Sequence, residues 1–170
     1  CEMKTEPERI ILRPWADTDA EDLYRLASND NVASAAGWPV HTSPAMSAEV
    51  IRTYFSEPET YAIILKSTGR VAGCIGIVPR AAEHRNGIAH DERETGYWIG
   101  EDFWGQGLIP EALGVLIAHC RHDLNLSGLW IITYAGNTRS QRVAEKCGFT
   151  YIDNFSDPDG KPSKAYRLEL

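Results

Sequence analysis

Residues 110–123, PEALGVLIAHCRHD, place Leu113, Leu116, Ile117 and Cys120 at i, i+3, i+4 and i+7, and Leu124 follows at i+11. That spacing puts all five on one side of a helix, and a stripe this apolar needs a sheet to cover it. Strand-like runs stand on both sides: ETGYWIG at 94–100 before the helix and LWIITYA at 129–135 after it. A strand, an amphipathic helix and a second apolar strand in succession commit this part of the chain to a mixed α/β arrangement.

The remaining segments fit the same class. RIILR at 9–13 reads as a strand, and WADTDAEDLYRLASND as a helix capped by Asp17 or Thr18, with Leu23, Leu26 and Ala27 on one face. Residues 31–46 read as a Gly- and Pro-containing connector, followed by a helix from Ser47 to Phe55 carrying Val50, Ile51 and Tyr54. YAIILK and VAGCIGIVPR flank Thr68-Gly69-Arg70 and form a hairpin, and the polar stretch 81–92 is a surface loop. TRSQRVAEKC is a helix stopped by Gly148, and FTYIDNF and AYRLEL are the last strands. No repeat or linker divides the chain, and 170 residues suffice for one core, so residues 1–170 are expected to form a single domain.

Charge and cysteine usage narrow the function. With 24 acidic against 17 basic residues the formal net charge is −7, which argues against nucleic acid as a partner, because phosphate binding needs a basic face. Cys1, Cys74, Cys120 and Cys147 lack CxxC spacing, so reduced thiols in the cytoplasm are expected rather than a zinc or redox site. His119 and His122 have no further ligands at a convincing spacing, and no metal is expected. No apolar run nears the ~20 residues that cross a bilayer, and no signal-peptide core opens the chain.

The start of the helix at Pro110 is unusual. Proline fits the first helical position and pushes Ile109 into an extended conformation, which makes Ile109 the expected N-cap. Isoleucine has no side-chain oxygen for the first amides. Those donors, with the amides of the turn Trp104-Gly105-Gln106-Gly107-Leu108, are then available to an anion at the positive end of the helix dipole. Gly105 and Gly107 let the backbone turn tightly and let a ligand come close. A plain strand-to-helix turn with water on its amides is the other reading. No Lys-Ser or Lys-Thr follows, as a P-loop requires, and Pro110 occupies the place of the third glycine of G-x-G-x-x-G, so neither ATP nor NAD is indicated.

FWGQGLIPEAL at 103–113 resembles the acyl-CoA-binding segment of the GNAT superfamily of N-acetyltransferases. AGNTRSQRVAEKCGF at 135–149 and ILRPWADTDAEDLYRL at 11–26 resemble the branch of that superfamily containing ribosomal-protein N-terminal alanine acetyltransferases. The similarity runs in order along nearly the whole chain. Trp104 stands where the superfamily pattern has Arg or Gln, and Ile109 where Gly or Ala is usual. The resemblance implies the GNAT fold: an α/β (α+β) chain with a central twisted mixed sheet of about seven strands, splayed fourth and fifth strands and about four flanking helices. ETGYWIG and LWIITYA would be the splayed pair, leaving a cleft for the pantetheine arm. The implied cosubstrate is acetyl-CoA, without a metal. Its pyrophosphate would lie on Trp104, Gly105, Gln106, Gly107, Leu108 and Ile109. The backbone of Tyr97, Trp98 and Ile99 would pair with the pantetheine amides as an added strand, and Asn137 and Ser140 would approach the arm from the far side.

The implied reaction is acetyl transfer to a primary amine, either a protein N-terminus or a small molecule such as an amino sugar. A lysine-like amine of pKa about 10.4 is neutral at pH 7 in only about one molecule in 2,500, so a general base helps. Glu94 matches the position of that base, and partial burial would raise its pKa; an exposed strand-end carboxylate is the alternative reading. Ser140 matches the donor of a proton to the leaving thiolate, with Tyr134 as an alternative. Backbone N–H near Ile99 would polarise the thioester carbonyl. Cys147, just before Gly148 and without a histidine nearby in sequence, reads as a core thiol, so direct attack by the amine is expected over an acyl-enzyme. Acceptor contacts are expected from Trp38, Pro39 and His41, from Glu94, and from Glu83, His84, His90, Asp91 and Glu92, unless these last are solvated loop charges. A homodimer is permitted by the resemblance. The competing functions are a catalytically silent CoA-binding or regulatory domain and a transferase of a longer acyl group such as succinyl.

Overall fold

The computed structural model describes residues 9–79, 85 and 87–170. Its strands are β1 (Ile10–Pro14), β2 (Thr60–Leu65), β3 (Val71–Ile77), β4 (Glu92–Ile99), β5 (Gly128–Tyr134), β6 (Thr150–Ser156) and β7 (Pro162–Glu169). They form one seven-stranded sheet in the order β1-β2-β3-β4-β5-β7-β6. The expected hairpin is present as the antiparallel β2–β3 pair. β5 and β7 pair antiparallel while β4 and β5 run parallel, so the sheet is mixed. The β4–β5 ladder covers Glu92–Thr95 against Gly128–Ile131, four residues of strands that are eight and seven long. The ladder stops at Thr95 and Ile131, before either strand ends.

The helices among the described residues are α1 (Ala20–Ala27), α2 (Asp30–Ala36), α3 (Pro44–Thr53), α4 (Leu108–His122) and α5 (Thr138–Lys146). The starts of α1, α2 and α3 differ from the sequence reading. α1 is preceded by a 3₁₀ turn, Asp17–Asp19, and neither Asp17 nor Thr18 caps it. The buried Asp19 carboxylate is drawn elsewhere: Arg13 Nη1 and Nη2 each donate to it at 2.8 Å, and the Ala16 amide donates at 2.8 Å. A charged fork outcompetes a neutral cap. Burial works to raise the Asp19 pKa, but the hydrogen bonds from Arg13 and Ala16 outweigh it and hold the carboxyl below its ordinary range. Within the expected connector lies α2, whose cap Asn29 accepts from the Asn31 and Val32 amides at 2.8 and 3.3 Å and whose stop is Gly37 at φ +83°. Only Val32 and Ala33 of its seven residues are buried, too few to show a periodicity. α3 begins at Pro44, not Ser47, because Ser43 caps it by accepting from the Met46 amide at 3.0 Å.

Contacts cluster in two units. Among the described residues one holds 77–79, 85, 87–96 and 113–170, and the other holds 9–76 and 97–112. In the first, the apolar stripe of α4 is buried as its spacing required, with Leu113, Leu116, Ile117 and Cys120 each 0–1% exposed. Burial of such side chains stabilises by about 2 kcal/mol each. Glu92 joins β4 to β7 there: Arg167 Nε donates to Oε2 at 2.5 Å and the Ala89 amide to Oε1 at 2.9 Å. In the second unit Trp15, Leu23, Leu26, Ala27, Ile51, Ala62, Ile64, Val71 and Cys74 form one core cluster. Among the described residues no helix is long and apolar enough to cross a membrane.

Candidate active site

The glycine turn lies in the second unit. β4 leads through Gly100 and a 3₁₀ turn, Glu101–Phe103, to Trp104, Gly105 at φ +77°, Gln106 and Gly107 at φ +75°, and α4 starts at Leu108. The Glu111 amide donates to Gly107 O at 3.3 Å, which makes Gly107 the N-cap. The expected cap at Ile109 is therefore corrected by two residues, and Pro110 is the third helical residue. A helix can take up Ile109 because the positive φ of Gly107 makes the chain reversal one step earlier. The deduction from the cap survives, since glycine offers no side-chain oxygen either. Among the described residues no hydrogen bond is made by the amides of Gly105, Gly107, Leu108 or Ile109, while the Gln106 amide closes the turn over Trp104 and Gly105. Alternating positive φ at Gly105 and Gly107 shapes these donors into a concave nest of the kind that binds anions. A methyl group built on Gly105 would meet nothing within 4 Å, so its surroundings are open. Ile109, unusual for the family pattern, is 6% exposed and sends its side chain into the core, leaving the amide side clear.

Side chains brace this turn from several directions. Trp104 Nε1 donates to Ile99 O at 3.1 Å, so an indole N–H supplies a donor where the pattern has Arg or Gln. Gln106 Nε2 donates to Asp102 O at 3.1 Å, and Asn29 Nδ2 to Glu101 Oε2 at 2.7 Å. Arg9, not singled out from the sequence, donates through Nη1 to Gln106 O at 2.8 Å and through Nε to Glu111 Oε1 at 3.2 Å.

Hydrogen bonds to β3 fix which edge each residue of β4 presents. Val78 N donates to Glu94 O and Gly100 N donates to Ala72 O, both at 2.8 Å. Backbone groups alternate along a strand, so the even-numbered Trp98 turns its N–H and C=O toward β3, while Tyr97 and Ile99 turn theirs to the opposite edge. Gly73 admits this approach: a Cβ there would collide with Trp98 O and Ile99 Cα. The half-buried Trp98 ring meets Trp38 edge-on at 5.6 Å, and Trp38 lies 5.2 Å from the ring of His41. His41 is 5% exposed with Nδ1 at 2.8 Å from Ser47 Oγ, and burial lowers its pKa.

The other predicted residues belong to the first unit. Glu94 is 6% exposed and sits level with Trp130 of β5. Tyr134, Asn137 and Ser140 gather at the turn from β5 into α5, where the Asn137 amide donates to Tyr134 O at 2.9 Å and Asn137 Oδ1 accepts from the Ser140 amide at 3.2 Å. Asn137 is thus a helix cap. Tyr134 is four residues beyond Trp130 along β5, about 13 Å of strand at ~3.3 Å per residue. Glu92 is committed to Arg167 and Ala89 and is not available to an acceptor; Glu83 and His84 lie outside the described residues. Burial pushes the Cys147 thiol pKa up, the opposite of what a nucleophile needs. Among the described residues no group of three or more His, Cys, Asp or Glu is placed to hold a metal ion.

A mixed sheet with a shortened β4–β5 ladder, followed by a glycine nest at a helix start, is the framework of one acyltransferase class. Residues 9–150 match the family model described as an acetyltransferase (GNAT) domain, and the chain belongs to that family. It is 39% identical over 150 residues to a Bacillus subtilis protein named "Putative ribosomal N-acetyltransferase YdaF", covering 84% of this chain and 78% of that one. Among solved structures, a GNAT-family acetyltransferase from Bacillus anthracis matches with a TM-score of 0.82 at 20% identity, over 96% of both chains. The microcin C7 self-immunity acetyltransferase MccE, in complex with acetyl-CoA and AMP, matches with a TM-score of 0.78 at 22% identity, covering 98% of this chain and 95% of that one. At these identities the structural matches establish the fold alone.

Proposed function

We propose that residues 1–170 act as a single acetyltransferase domain that moves an acetyl group from acetyl-CoA to a primary amine, by direct attack of the amine on the thioester carbonyl. The observation that carries this reading is the set of amides of Gly105, Gly107, Leu108 and Ile109, which suit a pyrophosphate and make no hydrogen bond among the described residues. Tyr97 and Ile99 present backbone groups on the edge of β4 away from β3, as strand-like pairing with pantetheine amides requires. The complex of MccE with acetyl-CoA supports the choice of donor.

In the proposed reaction the amine nitrogen bonds to the carbonyl carbon, the C–S bond breaks, and the thiolate leaves. Glu94 removes a proton from the attacking nitrogen. It acts on that proton directly or through one water. Ser140 passes a proton to the sulfur and takes one back from solvent, with Asn137 capping the helix that carries it. Trp38 and His41 are the proposed acceptor contacts. The name of YdaF, a putative ribosomal N-acetyltransferase, lends support to a protein acceptor, and a protein N-terminus is the amine tested first. An α-amine of pKa about 8 is already about one-tenth neutral at pH 7, which lightens the demand on the base.

Titration calorimetry with CoA, followed by thiol release from acetyl-CoA against peptides with free N-termini and a panel of small amines, tests the proposal. Micromolar CoA binding and turnover on at least one amine are expected. Binding without turnover on any acceptor would identify a silent CoA-binding domain, and no binding at millimolar CoA would remove the reading altogether.

A further inference from the structure

We infer that Arg9 is a positioning residue for the pyrophosphate-binding turn, acting through the Gln106–Gly107 peptide; the inference rests on the proposed CoA reading. A trans peptide is planar, with its C=O and the following N–H pointing in opposite directions. Arg9 Nη1 donates to Gln106 O at 2.8 Å, and no peptide bond among the described residues is cis. The Gly107 N–H therefore points away from Arg9, with its neighbours in the nest.

This orientation needs holding. Gly105 and Gly107 flank Gln106, and glycine adopts either sign of φ with little penalty. Rotation of the 106–107 peptide would replace the N–H with a carbonyl oxygen and turn an anion-binding nest into one that repels anions. Arg9 opposes that rotation by binding the oxygen end. Its positive charge also polarises the peptide, which makes the N–H at the other end a stronger donor.

Glu111 completes the device. Its carboxylate stands in the first turn of α4, where it competes with a bound anion for the positive end of the helix. Arg9 Nε donates to Oε1 at 3.2 Å and the Arg9 amide donates to Oε2 at 3.3 Å, so Arg9 both offsets that charge and is aimed by it. A methyl group built on Gly107 would stand 3.6 Å from Arg9 Nη2, so the guanidinium lies against the turn itself.

The test compares wild type, Arg9→Met and Arg9→Lys in their binding of CoA and of 3′-dephospho-CoA by calorimetry, and in turnover with acetyl-CoA and with S-acetylpantetheine. Arg9→Met is expected to weaken both CoA forms about tenfold or more. It should raise KM for acetyl-CoA with a much smaller change in kcat, and leave KM for the phosphate-free S-acetylpantetheine within twofold. Arg9→Lys, able to reach one acceptor but not to fork between two, should recover part of the loss. A loss confined to CoA with its 3′-phosphate would show direct contact with that phosphate and overturn the inference, as would an equal loss with S-acetylpantetheine or no loss at all. Should Arg9→Met fail to fold, Arg9→Lys and the two CoA forms decide the question. Wild-type protein that binds no CoA would sink the underlying reading, whereas failure of the Arg9 role leaves wild-type binding intact.

Discussion

Replacing Gly105 by alanine separates backbone strain from ligand recognition. Gly105 sits at φ +77°, and an added Cβ meets nothing within 4 Å, so the free protein suffers only the conformational penalty. For an L-residue held in the left-handed region that penalty is about 1–2 kcal/mol. Gly69, in the β2–β3 turn at φ +70°, is equally open and provides the control. Both Gly69→Ala and Gly105→Ala should lower unfolding free energy by about 1 kcal/mol, read from urea denaturation. Their CoA affinities should diverge. A turn that relaxes toward negative φ at residue 105 rotates an amide out of the nest, and a hydrogen bond to a charged group contributes about 1.5–3 kcal/mol. At 1.4 kcal/mol per decade, Kd for CoA should rise about 10- to 100-fold in Gly105→Ala and stay unchanged in Gly69→Ala. Calorimetry in which Gly105→Ala binds CoA within twofold of wild type, or in which Gly69→Ala loses as much, would refute the assignment of these amides to phosphate.

Glu94→Gln should lower kcat about 100-fold and remove the acid limb of the kcat/KM profile; a variant that keeps the wild-type profile is not missing its base. Asp19→Asn breaks the Arg13 fork, and because Arg13 is 39% exposed the expected loss is about 2 kcal/mol, below the range for fully buried pairs. Burial opposes but does not overcome the hydrogen bonds that depress the folded pKa of Asp19. The wild-type advantage over Asp19→Asn should therefore be complete above about pH 4 and shrink as pH falls through that lowered value. His41 behaves in the same sense for a different reason, since burial depresses its folded pKa. Stability should decline as pH falls below about 6.5, by at most ~1.4 kcal/mol per pH unit, until the folded pKa is passed. Denaturation midpoints of His41→Gln at pH 7.5 and 5.5 should lack that decline.

Elements with a strong period were legible in the sequence alone. The stripe from Leu113 to Cys120, the hairpin about Gly69 and the apolar β5 each repeat a pattern dictated by backbone geometry, and each is present. Short elements were not. α2 depends on an asparagine cap and a left-handed glycine around a largely exposed segment, so its signal is in its ends rather than its period. The start of α4 was misplaced because Pro110 is compatible with more than one position in the first turn. Choosing among them depends on the φ of Gly107, which residue type permits but does not set.

Residue type and order by themselves determined that the chain is mixed α/β and resembles the GNAT family, and that a helix begins without an oxygen to cap it. Both follow from interactions within a few residues or from motifs read in a line. Tertiary structure decided how those groups are used. It holds Asp19 between Arg13 and the Ala16 amide, commits Glu92 to Arg167, turns the Trp98 peptide toward β3 and sets Arg9 against Gln106. Arg9 and Gln106 are 97 positions apart, and a polar side chain chooses among many possible partners by proximity in the folded chain. No local pattern encodes that choice, because a hydrogen bond has no sequence period.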